Sequence, residues 1–188
     1  MPDLLPDVTN FYNAIRDYGI SKKYNFKLEA IEGTPVDDLF SKFPYDIYAQ
    51  STRIPSKKIN TVKIPYKSFE YVVPMHASYP DNESWELTFI TDANLTIRTI
   101  FENWNKALYD SETNSASDIN FAKSTITFNL LKESIDGVDG NGLEVVKKYV
   151  LKGAYPVLIG ISDYDISSAG DSVSKTRIIF AFQSFTTN

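Results

Sequence analysis

The sequence Ser-Trp-Glu-Leu-Thr-Phe-Ile-Thr-Asp fills residues 84–92 and leads into the most regular apolar pattern of the chain. Within it, Trp85, Leu87 and Phe89 take alternate positions, which predicts a half-buried strand. Asp92 is a favourable residue for capping a helix. Four apolar residues then recur at helical spacing: Ile97, Phe101, Trp104 and Leu108. The stretch therefore predicts a strand followed by a helix whose apolar face covers a sheet, with Trp85 in the same core.

The sequence on the N-terminal side of this stretch predicts a short helix and two strands. The helical pattern lies at residues 7–19, where apolar residues share one face. Residues 24–31 alternate, and the alternation places Leu28 and Ala30 on the inner side of a strand. Residues 46–53 are a second strand candidate.

The C-terminal third is predicted to consist of strands. Residues 124–131, 143–152 and 175–185 each show alternation, and in the second of these ranges Tyr149 and Leu151 face inward. With the strands described above, the chain is predicted to be mainly β. We expect a two-sheet antiparallel β-sandwich or barrel with one flanking α-helix.

Length and composition narrow the class of protein. The 188 residues indicate one domain over residues 1–188, in which residues 1–19 form an N-terminal segment with the short helix. The aromatic share of 14% favours sheets and contact surfaces. The net charge of -5 argues against a protein that grips nucleic acid by its phosphates. Because the sequence has no membrane-length apolar run and no signal-peptide pattern, we expect intracellular synthesis and no membrane insertion.

The chain lacks the residue sets that most enzymes use. It has no cysteine and a single histidine, His76, which excludes two-histidine metal motifs and most catalytic triads. The Asp- and Gly-rich residues 136–142 break the calcium-loop pattern, because Leu143 and Val150 stand where oxygen ligands are required. Carboxylate pairs of the glycosidase kind depend on a proximity that the sequence does not show. We predict a protein that is not an enzyme, without catalytic residues, metal or cofactor.

A basic segment spans residues 51–73 of this otherwise acidic protein. Against the single acid Glu70 it holds five cations: Arg53, Lys57, Lys58, Lys63 and Lys67. Residues 58–64 and 66–73 are predicted to form an extended hairpin arm that projects and contacts a partner. A solvated basic loop is the alternative. A further alternative is an arm that packs by its apolar residues, Ile54, Ile59, Val62 and Ile64.

Five short sequence features occur in the same order as in a known protein family. A W-x-L-T strand at residues 85–88 leads through Asp92 into the pattern R-x-x-F-x-x-W at residues 98–104. The later turn Gly-Ala-Tyr-Pro at residues 153–156 precedes an aromatic strand that closes the chain. The opening residues Asp-Val-Thr at 7–9, with the strand that follows them, complete the set. This order resembles the tail tube proteins of contractile-tailed (myovirus) bacteriophages, and the resemblance covers most of the chain.

The resemblance implies a β-sandwich that assembles as hexameric rings, which stack into a hollow tube. The hairpin arm would contact the neighbouring ring, and the inner sheets of six copies would join into one barrel around a channel. The net negative charge would let DNA pass through without specific binding. The implied partners are the tail sheath, the baseplate initiator, the tail terminator and the tape-measure protein, in a virion assembled in the host cytoplasm.

Charge on the arm gives the resemblance a specific consequence. If rings stack through the arm, its five cations are predicted to meet carboxylates of the neighbouring ring. Two other functions stay open. A baseplate tube initiator, a tail-end component or the tube subunit of a phage-derived injection machine would share the fold. A monomeric β-barrel that binds a small apolar ligand would instead need a cavity.

Overall fold

The chain is built mainly from antiparallel strands, as the computed structural model shows for residues 15, 25–110, 115–116, 124–133, 143–160 and 173–188. The strands in these residues are β1 (Phe26–Glu32), β2 (Ala49–Thr52), β3 (Lys58–Tyr66), β4 (Phe69–Ser78), β5 (Trp85–Ile90), β6 (Tyr109–Asp110), β7 (Ser115–Ala116), β8 (Thr125–Glu133), β9 (Leu143–Lys152), β10 (Tyr155–Ile159), β11 (Lys175–Ala181) and β12 (Ser184–Thr187). The helices there are α1 (Asp37–Phe40), α2 (Tyr45–Tyr48) and α3 (Thr96–Leu108).

Two four-stranded sheets form the body of the fold. In the described residues, the first sheet has the strand order β1-β8-β9-β12 and the second has the order β10-β11-β5-β2. Every pairing in them is antiparallel. Strands β3 and β4 form a separate two-stranded hairpin, as do β6 and β7. The prediction of a mainly β, antiparallel fold with one long flanking helix and a hairpin arm is confirmed.

An aromatic core joins the two sheets. Trp85 of β5 stacks on Phe128 of β8 with ring centroids 5.7 Å apart, and Phe128 stacks on Tyr149 of β9 at 5.0 Å. Phe180 of β11 lies 5.6 Å from Trp85. All four rings are buried. Because burying a large apolar side chain contributes about 1.5–3 kcal/mol, this layer is a main source of stability.

Helix α3 covers the core with its apolar face. Ile97, Phe101 and Trp104 are at most 1% exposed, while Leu108 is partly buried at the rim of the core. The Phe101 ring lies 5.4 Å from Phe89 of β5. The spacing of the apolar residues therefore places the helix against the second sheet, with its polar residues toward solvent.

The Asp92 side chain caps helix α3 from four residues upstream. Its two carboxylate oxygens accept hydrogen bonds from the backbone N–H groups of Thr96 and Ile97, at 3.0 and 3.1 Å. Leu95, directly before the helix, has a left-handed backbone with φ 55°. Burial acts to raise the pKa of Asp92, but the hydrogen bonds from Thr96 and Ile97 outweigh it and lower the pKa below its ordinary value.

Replacing Asp92 with alanine should lower the unfolding free energy by about 0.5–2 kcal/mol, because two helix N–H groups lose their acceptor. A carboxyl with a lowered folded-state pKa stabilises above its unfolded pKa, and that contribution disappears as the pH falls through the folded pKa. Urea unfolding at pH 7 and at about pH 2 should therefore show the loss only at pH 7. Asn94→Ala, at an exposed neighbour, is the control. An equal loss at both pH values would contradict this role.

A β-bulge changes the inward residue of β1. The register against β8 shifts between Leu28 and Ala30, so that Ile31 pairs with Ile126 in the core while Ala30 pairs with Thr127. The sequence prediction that Ala30 faces inward is wrong, because one extra residue in a strand reverses its alternation.

Residues 46–53 are not a single strand, contrary to the sequence prediction. Residues 46–52 divide between α2 and β2, and Arg53 lies outside both. The cause is Tyr45, whose hydroxyl accepts a hydrogen bond from the Ile31 N–H at 3.0 Å and whose ring lies 5.1 Å from Phe40. Burial of this hydroxyl raises the pKa of Tyr45. Holding Tyr45 against β1 and α1 favours a helical turn before the chain enters the second sheet.

The closing segment, residues 175–185, is two strands in different sheets rather than one strand. Strand β11 lies in the second sheet, and β12 pairs with β9 in the first. Between them, the Phe182 N–H donates to the Asn82 carbonyl at 2.7 Å and the Gln183 N–H donates to the Lys152 carbonyl at 2.9 Å. Phe182, which lies between the two strands, is also buried. The alternation of apolar residues therefore continues from β11 past Phe182, and the sequence gives no sign that the chain changes sheet.

Two sequence predictions fall outside the described residues. In the helix predicted at residues 7–19 only Ile15 is described, and it is helical. The turn predicted at residues 136–142 is not described at all. Among the described helices, none combines the length and the apolar character that crossing a membrane requires.

Candidate assembly surface

The β3–β4 hairpin, called the arm below, stands apart from both large sheets. Tyr66 pairs with Phe69, which leaves Lys67 and Ser68 as a two-residue loop. Lys67 has the positive φ, 54°, that such tight hairpin loops require. The second strand of the arm is predicted to end at residue 73. In the structure, β4 continues through Pro74 to Ser78, with a register shift opposite Asn60. The arm is thus longer than predicted, because an irregular pairing accommodates the proline.

One face of the arm is apolar from the loop as far as Val62 and Val73. Residues that pair directly across two strands point to the same side. Three such pairs share one side of the arm, and these form the apolar face: Val62 with Val73, Ile64 with Tyr71, and Tyr66 with Phe69. Their exposed fractions run from 37% for Val73 to 71% for Phe69. A continuous apolar face with this much solvent exposure is typical of a surface that another molecule covers.

The opposite side, called the polar face of the arm, is mixed. It carries Lys63 paired with Val72, and Pro65 paired with Glu70. The Lys63 ammonium lies 3.1 Å from the Glu70 carboxylate. Since both partners are well exposed, this ion pair is worth only about 0–1 kcal/mol.

The five cations predicted to make contacts lie along the arm and its base. Some of them already contact acidic or aromatic side chains of their own chain. Arg53 lies 3.3 Å from Glu86, which Arg177 also contacts at 2.6 Å, and Lys63 pairs with Glu70 as described. The Lys67 ammonium lies 5.4 Å from the ring centroid of the neighbouring tyrosine. The remaining two, Lys57 and Lys58, are exposed at the base of the arm. The structure therefore places three of the cations on the arm and two just before it, and gives some of them partners in their own chain.

Hydrogen bonds fix the base of the arm to the second sheet. The Trp85 indole N–H donates to the Arg53 carbonyl at 2.6 Å, and the Ser56 N–H donates to Asp81 at 3.1 Å. A cavity of about 80 Å³ lies beside these contacts, lined by Arg53, Ile54, Asp81, Ser84 and Trp85. Ligand pockets are usually about 300–1,000 Å³, so this cavity is too small for an ordinary ligand. The two hydrogen bonds hold the base of the arm beside β5.

A second exposed apolar surface lies where β8 and β9 extend past the core. Leu131 pairs with Val145, and on the same side Leu143, two residues along β9, pairs with Glu133. Leu143 and Val145 are 50% and 51% exposed. Lys132 and Glu144, on the other side, form an ion pair at 2.9 Å. We call these ends, residues 131–132 and 143–145, the β8–β9 tip.

The outer side of the first sheet is polar. The Lys148 ammonium of β9 lies 2.8 Å from the Glu29 carboxylate of β1, and the Asn129 amide of β8 donates to the same carboxylate at 3.1 Å. The hydrogen bond from Lys148 is the main cause that lowers the pKa of Glu29. This row crosses three strands and makes the outer side of the sheet hydrophilic around Glu29.

The arrangement offers little for catalysis in the described part of the chain. No group of three or more acidic, His or Cys side chains there could hold a metal ion. The single imidazole, His76, sits on the arm with its Nε2 atom 2.9 Å from the Asn60 amide nitrogen.

Two parts of these surfaces were not predicted from the sequence. Val62 and Ile64 are among the residues of the predicted apolar packing, whereas the aromatic part of the apolar face is not: Tyr66, Phe69 and Tyr71. A signal was present, because residues at alternate positions on each strand are apolar. The β8–β9 tip had no such signal, since its apolar residues look like an ordinary extension of core strands.

The fold is β-rich and leaves apolar side chains exposed on the arm and at the β8–β9 tip. The chain belongs to the phage tail tube protein family, because the model of that family matches residues 14–188. Tail tube proteins are structural parts of a phage or phage-like tail. No curated protein sequence matches the chain.

Solved structures from contractile machines have the same fold. One is the sheath–tube complex of an extracellular contractile injection system, PVC, in the extended state, with TM-score 0.57 and 12% identity, covering 94% of this chain and 96% of the other. A chain of the anti-feeding prophage baseplate gives TM-score 0.55 and 15% identity, covering 90% and 95%. A chain of the anti-feeding prophage tube-terminating cap gives TM-score 0.54 and 13% identity, covering 90% and 91%. At these identities the likeness concerns the fold.

Proposed function

We propose that the chain, as a single tail-tube domain over residues 1–188, forms hexameric rings that stack into the inner tube of a contractile phage tail. The tube is the conduit for genome ejection. The observation that carries the proposal is the arm, whose apolar face is exposed in a member of the phage tail tube protein family. In an isolated subunit such a face would be an aggregation hazard, whereas in a stack of rings it becomes a joint.

Free strand edges supply the lateral contacts of a ring. Within the described residues, β1 and β12 lie at the edges of the first sheet, and β10 and β2 lie at the edges of the second. Unpaired strand edges bind other strands readily. Repeating one edge-to-edge contact around a six-fold axis closes a ring, and the sheets of six copies then surround a channel. The net charge of -5 keeps DNA phosphates from sticking to its wall.

The role is structural rather than enzymatic, and the partners follow from the place of a tube in a tail. The tail sheath surrounds the tube, the baseplate initiator starts it, the tail terminator ends it and the tape-measure protein fills it during assembly. Assembly takes place in the host cytoplasm, and the finished protein resides in the virion.

A second candidate function is a baseplate tube initiator, a tail-end component or the tube subunit of a phage-derived injection machine. It is favoured by the likeness to chains from a baseplate and a tube-terminating cap. A monomeric barrel that binds a small apolar ligand is disfavoured, since a monomer would leave the apolar face of the arm in water.

Sedimentation velocity of the full chain over a range of concentrations tests the proposal. Tube subunits should sediment as hexamers at low concentration and as far larger particles at high concentration. An initiator should stop at single rings. A strictly monomeric profile at every concentration would overturn the proposal and favour the ligand-binding barrel.

Reversing three lysines of the arm together, Lys57→Glu, Lys58→Glu and Lys63→Glu, should leave single rings intact while suppressing tube growth. Each exposed ion pair is worth only about 0–1 kcal/mol, but a ring repeats the contact at every subunit. Raising the salt concentration should restore part of the growth, because it screens the new repulsion. Sedimentation at low and high salt measures the effect, and tubes of normal length at low salt would show that arm charge does not drive stacking.

A further inference from the structure

We infer that Asp81 is a positioning residue, which holds the arm in the direction that stacking requires. This inference rests on the proposed function, since it concerns how the arm is presented to the neighbouring ring. Among the described residues, the two strands of the arm pair only with each other. The direction of the arm therefore depends on the two segments that join it to the body. We call residues 53–57, before β3, the entry segment and residues 79–84, after β4, the exit segment.

The exit segment is fixed to the body at two places. The Tyr79 ring packs against the rings of Phe182 and Phe185, with centroids 6.1 and 5.3 Å apart. The Asn82 carbonyl accepts a hydrogen bond from the Phe182 N–H at 2.7 Å. Because Phe182 is buried where the chain crosses between the sheets, Asp81 lies on a turn that the core holds in place.

Asp81 connects this anchored turn to the entry segment. One oxygen of its carboxylate accepts hydrogen bonds from both the hydroxyl and the N–H of Ser56, the second at 3.1 Å. The entry segment is also held at the Arg53 carbonyl, by the indole N–H of the buried Trp85. Of these two contacts, the one with Asp81 lies nearer to the arm, because Ser56 is only two residues before β3.

A fixed direction matters because a projecting two-stranded hairpin would otherwise swing about its base. Ordering a mobile element on binding costs free energy, which is subtracted from the affinity. An arm that Asp81 already aims avoids this cost at every subunit of a ring. The nearby ion pair of Arg53 with Glu86, at 3.3 Å, adds little to the hold, because the Arg53 side chain is 70% exposed.

Pulsed electron paramagnetic resonance tests the inference, because it measures the distance between two spin labels. The labels are attached at Val72→Cys on the arm and Lys106→Cys on helix α3, both exposed positions in a chain without cysteine of its own. Labelled chains are diluted in an excess of unlabelled chains of the same variant, so that each distance lies within one copy. With Asp81 in place we expect one narrow distribution of distances.

Asp81→Ala should widen this distribution at least about two-fold and raise the concentration needed for tube growth about ten-fold. Asp81→Asn and Glu83→Ala are the matched controls. The asparagine removes the charge but keeps an oxygen that accepts from Ser56, while Glu83→Ala removes a charge from an exposed residue of the exit segment. Both controls should keep the narrow distribution and normal tube growth. A narrow distribution for Asp81→Ala, or equal widening in either control, would overturn the inference.

Sedimentation of the same variants separates the two levels of failure. If Asp81→Ala forms tubes at the same concentration as the unmodified protein, the direction of the arm does not govern stacking. The inference then fails and the proposed function stands. If the unmodified protein stays monomeric at every concentration, the proposed function fails and the inference falls with it.

Discussion

Trp104→Ala should lower the unfolding free energy by about 3–5 kcal/mol, which for a domain of this size removes a large part of the total. Trp104 is completely buried, with its ring centroid 6.0 Å from those of Phe101 and Phe180. Its removal leaves a cavity between helix α3 and the second sheet. Urea unfolding or thermal melting of the variant measures the loss, which should appear as a failure of the whole fold.

Trp104→Phe provides the control for this prediction. It keeps an aromatic ring in place and removes an indole N–H that has no acceptor within the described residues. Leaving a buried donor unpaired is costly, so the phenylalanine variant should lose much less stability than the alanine variant. An unchanged melting temperature for Trp104→Ala would mean that α3 does not cover the sheet in solution.

Tyr71→Asp should abolish tube growth while leaving the subunit folded. Tyr71 lies in the middle of the apolar face of the arm, paired with Ile64, and is 55% exposed. A carboxylate there would be desolvated whenever the arm is covered, at a cost of several kcal/mol per contact. Because the cost recurs at every subunit of a ring, we expect the concentration needed for tube growth to rise more than roughly 100-fold.

Val72→Asp is the matched control for Tyr71→Asp. It places the same charge on the neighbouring residue, which is 61% exposed but lies on the polar face of the arm. Tube growth should persist in this variant, and both variants should melt at the temperature of the unmodified protein. Equal loss of growth in both variants would show that the arm acts through its charge or its backbone rather than through one apolar face.

Local patterns in the sequence predict the elements of the core well. The alternation of Trp85, Leu87 and Phe89 and the helical spacing from Ile97 to Leu108 each reflect a single element with one buried face. In β9 the inward residues Tyr149 and Leu151 follow for the same reason. Such patterns survive in any tertiary context that buries one face.

The parts that were missed depend on contacts between distant segments. The bulge before Ile31 comes from pairing with β8, and the helical turn at residues 45–48 follows contacts of Tyr45 with β1 and α1. The change of sheet between β11 and β12 keeps the alternation unbroken, so no local signal marks it. Which sides of the arm and of the β8–β9 hairpin are left uncovered also depends on the whole fold.

Electron microscopy of the purified full chain at high concentration would show whether the subunits build a tube. We expect rings with six-fold symmetry and an open central channel, stacked into tubes with the arm of each subunit reaching the next ring. Uniform particles of the size of one subunit, or assemblies without a channel, would contradict it.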